Sequence, residues 1–147
     1  MAVINEQIKN KILNFIKNQN LTVVSTIDSE IAKPESAVIA FAETENLELI
    51  FGTSNKTRKY KNLQKNSNVS FVIGWDSEVG TVQYEGIAKE LSKEESVPFS
   101  TIMVAKNPRS EKFVHKEDQR YFLVKPIWIR ILDMTKNPDE TFEISFD

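Results

Sequence analysis

"LELIFGTSNKTRKYKNLQKNSNVSFVI", Leu47 to Ile73, holds the transition on which the fold turns. Its first part is a short apolar run that ends in Gly52 and small polar residues, the pattern of a strand and its stop. Lys56, Arg58, Lys59 and Lys61 then crowd together. Tyr60 and Leu63 stand three apart and "NSN" closes the stretch, which predicts a helix of about two or three turns. "VSFVIGW", Val69–Trp75, begins a new strand at once. The cations therefore gather at the start of a short helix that leaves the end of a strand. There, backbone N–H groups and the positive helix end converge on one point, where an anion gains most. Thr53, Ser54 and Thr57 offer hydroxyl donors, and Arg58 and Lys59 offer charge that suits a phosphate dianion. The plainer alternative is a solvated cationic face, the common fate of such runs.

Outward from this stretch the same rhythm continues. Upstream, Ile4, Ile8, Ile12, Phe15 and Ile16 recur at helical spacing and predict a one-sided helix over 5–18. "LTVVSTID" and "SAVIAFA" are β-rich runs separated by turn residues, and they read as an antiparallel pair. Downstream, "GTVQYEGIAKEL" is a long strand in which Gly86 suggests a bulge or a close backbone approach. "SKEE", Ser92–Glu95, has capping-box spacing and predicts a helix through Met103 that stops before Pro108. Residues 107–118 read as an exposed polar connection. "RYFLVKPIWIRILDM" predicts two strands interrupted at Pro126, and "TFEISF" a last edge strand. The expected class is mainly β (α+β): a six- to seven-stranded antiparallel split barrel with flanking helices, a single domain over 1–147.

Composition narrows the function. Hydrophobic residues at 40% and charged residues at 27% are those of a globular domain, not a disordered chain. A net charge of −2 argues against a nucleic-acid coat, although the Lys56–Lys65 stripe with Tyr60 keeps a single-strand binder among the rivals. Without cysteine there is no disulfide, thiolate metal site or cysteine nucleophile. His115 is the only histidine and sits in a polar stretch, so metal and histidine-paired nucleophile chemistry are not expected. The N-terminal stretch lacks a signal-peptide core and no apolar run could span a bilayer, so a cytoplasmic protein without membrane contact is expected.

The order of "LTVVSTID", "KPESAVIAF", "LELIFGTSNKTRKYKNLQKNSNVSFVI" and "TVQYEGIAKEL" resembles the split-barrel flavoproteins related to pyridoxamine 5'-phosphate oxidase, above all their short general-stress-protein branch. The resemblance implies an FMN phosphate site at Thr53 with Thr57, Arg58 and Lys59, and Gly52 and Ser54 of the same strand end join it on the reading of the turn given above. It implies a strand along the flavin ring at Ser36, Ala37, Val38 and Ile39, and ring contacts from Thr81 and Gln83. It further implies a homodimer with flavin at the interface and an FMN-dependent oxidoreductase of unknown small-molecule substrate. A deazaflavin is a variant of that reading, and a non-catalytic flavin- or haem-binding sensor or carrier is the rival. Ala37 and Ala42 stand where the oxidase has an arginine and a lysine, which implies a less tightly held phosphate. "IWIRILDMTKNPDETFEISFD" does not reproduce the oxidase's substrate-binding ending, which argues against vitamin B6 oxidation. Trp75, Trp128 and Arg130 read as packing or dimer residues that could also wall a cofactor.

Overall fold

The computed structural model describes the backbone of residues 2–147 and the side chains of residues 5–147. The side chain of Ile4 lies outside the described residues. Helix α1 (Ala2–Lys17) begins a little before its expected start and buries Ile12, Leu13 and Ile16 along one stripe. The strands are β1 (Leu21–Asp28), β2 (Lys33–Ala40), β3 (Ala42–Glu43), β4 (Leu49–Ser54), β5 (Asn68–Asp76), β6 (Gly80–Glu90), β7 (Gln119–Asp133) and β8 (Glu140–Ser145). Between them stand α2 (Arg58–Lys65), α3 (Lys93–Lys106) and a 3-10 turn, Pro108–Phe113. The sheet is antiparallel throughout, in the order β2-β1-β5-β6-β7-β4-β3, with β8 on the second half of β7.

β2 and β3 lie at opposite edges of this sheet yet are separated in sequence only by Phe41. The sheet must therefore curl until its edges approach, and the result is a split barrel. "SAVIAFA" reads as one strand in sequence but divides here because Phe41 leaves both ladders. Its ring is fully buried, its N–H goes to the Asn20 carbonyl at 3.2 Å, and its carbonyl accepts from Asn107 Nδ2 at 2.8 Å. Lys106 Nζ lies 4.0 Å from the centroid of the Phe41 ring, so the corner is held on several sides.

The expected interruption at Pro126 is not found. β7 runs through it, because Pro126 pairs with Gly86 and Trp128 with Glu85, which leaves Ile127 as the extra residue of a bulge. A proline with no N–H to offer is tolerated there, and the Ile127 carbonyl accepts the Phe146 N–H at 2.8 Å. Gly86 is where the two backbones come close, since a Cβ on it would meet the Lys125 carbonyl and the Val124 side chain.

Inside the barrel Phe51 stacks on Phe122 with centroids 5.2 Å apart, and Phe71 meets Phe51 and Tyr84 edge-on. α1 covers β8, so Ile144 is buried and Phe142 and Phe146 are half-buried within the chain. The chain thus supplies much of the cover for this apolar edge itself. The capping box forms as expected, with Ser92 Oγ accepting the Glu95 N–H and Glu95 Oε1 accepting the Ser92 N–H. No helix among the described residues is long and apolar enough to cross a membrane.

Candidate functional site

The chain leaves β4 and enters α2 through a turn tied from several directions. Thr57 caps the helix, its Oγ1 accepting the Tyr60 N–H at 3.3 Å and donating to the Ser54 carbonyl at 3.0 Å. Thr53, buried beneath it, meets Thr57 hydroxyl to hydroxyl at 2.9 Å. Ser54 donates to Asp118 Oδ2 at 2.6 Å, and the Asn55 N–H goes to the Asp118 carbonyl at 2.8 Å. That bond from Ser54 is the main reason the Asp118 carboxyl is held below its usual range.

The expected donors are thus sorted by the turn. Thr57 borders a cleft of about 370 Å³, together with Lys56, Arg58 and Lys59 on one side and Val24, Thr26, Glu35, Ser36 and Ala37 on the other. Thr53 supports Thr57 from below. Gly52 and Ser54 line a different hollow with Phe113, Lys116 and Gln119.

Within the cleft the two expected cations differ. Arg58 Nη1 donates to Glu35 Oε2 at 2.9 Å, and most of the Arg58 side chain is in solvent. Lys59 is half-buried and has no carboxylate partner among the described residues. Burial pushes its ammonium below the ordinary lysine range. The N–H groups of Arg58 and Lys59 belong to the first turn and have no acceptor within the helix. A desolvated ammonium and two N–H groups without helical acceptors suit one phosphate and fit the anionic end of FMN, while the Thr57 proton is already given to the Ser54 carbonyl and its oxygen caps the helix. Glu35 is the opposing charge.

Strand register decides the rest. Val24 faces Ala37 and Thr26 faces Glu35, which turns Glu35, Ala37 and Ile39 inward toward the cleft and core. Ser36 and Val38 point out, in rows that run across the sheet as Ser36, Ser25, Ser70 and Glu85, and as Val38, Val23, Val72 and Gln83. Gln83 and Thr81 are on this outer face, with three strand spacings between β2 and β6, about 14 Å. One chain therefore unites Ser36 and Ala37 with Thr57, Arg58 and Lys59, but not with Thr81 and Gln83. The outer face exposes Leu21, Val38, Val72 and Ile127, while Trp75 is exposed at the end of β5.

Sequence reading missed Glu35 and Asn62. Asn62 is buried on α2 and donates to Thr26 Oγ1 at 3.0 Å and to Glu35 Oε1 at 2.9 Å. The available signal was parity: in "KPESAVIA" the carboxylate occupies an inward position along with Ala37 and Ile39.

The profile of the pyridoxamine 5'-phosphate oxidase family matches residues 8–133. The chain belongs to that family. No curated protein matches it significantly. Among solved structures, this member of the pyridoxamine 5'-phosphate oxidase family is similar to general stress protein 26 of Bacillus anthracis str. Sterne, with TM-score 0.74 and 20% identity over 94% of this chain and 99% of that one. It is similar to the haem storage protein of Vibrio cholerae, with TM-score 0.64 and 14% identity over 92% of each chain. It is also similar to a haem-binding protein of Mycobacterium smegmatis, with TM-score 0.74 and 11% identity over 87% of this chain, but it spans 54% of that protein's length. At such identities the likeness is one of fold.

Proposed function

We propose that the protein binds FMN as a homodimer, with the flavin at the interface, and exchanges hydride equivalents with a small molecule. The observation that carries this reading is Lys59, a half-buried ammonium without a carboxylate partner among the described residues, at the start of α2 and beside the Thr57 hydroxyl. FMN, when bound, supplies the hydride chemistry of its ring nitrogen. The residues of the chain have simpler tasks. Lys59 and the first N–H groups of α2 hold the phosphate, Thr57 caps the helix that presents them, and β2 from Ser36 to Ile39 lies along the ring. The exposed apolar residues of the outer face give a second copy a surface to cover. A copy docked there would bring its Thr81 and Gln83 to the flavin of the first, which would reunite residues that one chain holds apart.

Calorimetry tests the site. FMN should bind more tightly than riboflavin, which lacks the phosphate, and equal affinities would remove the assignment to α2. The rival, a flavin- or haem-binding carrier without turnover, draws support from the fold shared with the two haem proteins. A visible spectrum separates the ligands. A haem band on titration, with no flavin retained, would favour the rival over FMN.

A further inference from the structure

We infer that Glu35 is a built-in rival for the ligand's phosphate, a specificity-determining residue whose carboxylate occupies the cleft's arginine until a larger anionic ligand displaces it. The inference rests on the phosphate reading of the cleft and adds what that reading lacks, a reason for the cleft to discriminate among anions.

The carboxylate is seated with care. Its side chain is 8% exposed. Oε2 accepts from Arg58 Nη1 at 2.9 Å and lies 3.2 Å from Lys33 Nζ, and Oε1 accepts from Asn62 Nδ2 at 2.9 Å. Asn62 is itself 5% exposed and fixed by Thr26. These contacts are what an external anion would seek, and an internal one already has them. The Asn62 bond chiefly, then Lys33 and Arg58, hold the Glu35 carboxyl below its usual range, so it stays ionised at neutral pH.

Two consequences follow from charge alone. A small free anion must displace Glu35 or tolerate it, and has nothing beyond its own charge with which to compensate. A phosphate carried on a flavin brings ring contacts as well, and these can offset the repulsion. Lys59 remains available to it throughout.

Glu35→Gln is the test, because the amide keeps the size and the acceptor facing Asn62 while removing the charge. The variant should bind FMN about tenfold more tightly, with riboflavin unchanged, and inorganic phosphate should become a measurable competitor. In the double variant Glu35→Gln/Arg58→Gln most of the gain should vanish, and Glu35→Ser, which also removes the charge, takes the place of Glu35→Gln with the same expectation if the latter folds poorly. An FMN affinity that is unchanged or weaker in Glu35→Gln would overturn the inference, since Glu35 would then be aligning Arg58 and not competing for it. Should the unaltered protein fail to prefer FMN over riboflavin, the phosphate reading fails instead. Inorganic phosphate then decides the matter for Glu35: stronger binding to the variant sustains the inference, and no gain refutes it.

Discussion

Arg58 and Lys59 are neighbours at the start of α2, yet Arg58 reaches the Glu35 carboxylate at 2.9 Å while Lys59, more deeply placed, has no such partner among the described residues. The two cations should therefore contribute unequally to binding. Lys59→Met should weaken FMN by about 1.5–3 kcal/mol, the range for a hydrogen bond to a charged group. Arg58→Gln, exposed and already paired, should cost less than about 1 kcal/mol. Lys61→Gln and Lys65→Gln, further along the helix, should change little. Titration of each variant with FMN checks the order, and four equal losses would point to a diffuse basic surface.

The second copy should sit on the outer face. Val38 and Val72 are 61% and 41% exposed there and lie in the same row of side chains. Val72→Asp should shift sedimentation at low micromolar concentration toward monomer, and it should lose FMN affinity although it is not among the residues lining the cleft. In the unaltered protein FMN should raise the melting temperature and strengthen the dimer together. A monomer that binds FMN with undiminished affinity would refute the shared site.

Tyr84 stabilises the turn before β4 from a distance. Its buried hydroxyl donates to the Leu47 carbonyl at 2.8 Å, and Leu47 holds a φ of 63°, a left-handed conformation that a leucine rarely adopts. Burial keeps the phenol protonated well above the ordinary range. Tyr84→Phe leaves that carbonyl without its partner and should cost about 1–2 kcal/mol in denaturant unfolding.

Lys11 fastens α1 to the end of β7 through Asp133, at 2.6 Å, and Thr135 also donates to the same carboxylate. The bond from Lys11, first, and those from Thr135 depress the Asp133 carboxyl below the usual aspartate range. The folded pKa is lower than the unfolded value of about 3.9, so the contribution is fully present above that value and fades as pH falls below it. Asp133→Asn should lower stability at neutral pH by about 1 kcal/mol, since the pair is partly exposed. It should also flatten the loss of stability between about pH 4 and pH 2. Thermal melts across that range give the comparison.

Much of this was legible along the chain because the governing interactions are local. The period of Ile8, Ile12 and Ile16 marked α1, the Ser92 to Glu95 spacing marked the start of α3, and the passage from Gly52 to Lys59 marked a strand turning into a cationic helix. Family motifs of the right order supplied the barrel. What the tertiary structure decided concerns groups that meet only when distant strands align. Phe41 became a corner because Asn20 and Asn107 take its backbone, a choice that no feature of "SAVIAFA" contains. Pro126 stayed within a strand because Gly86 lets the facing backbone come close. Glu35 entered the cleft because β1 pairs with β2 in the register that sets it opposite Thr26, within reach of Asn62 and Arg58 on α2. A shift of one residue would turn Glu35 to solvent and leave Arg58 without its partner. Strand composition permits that register, and packing across the sheet selects it.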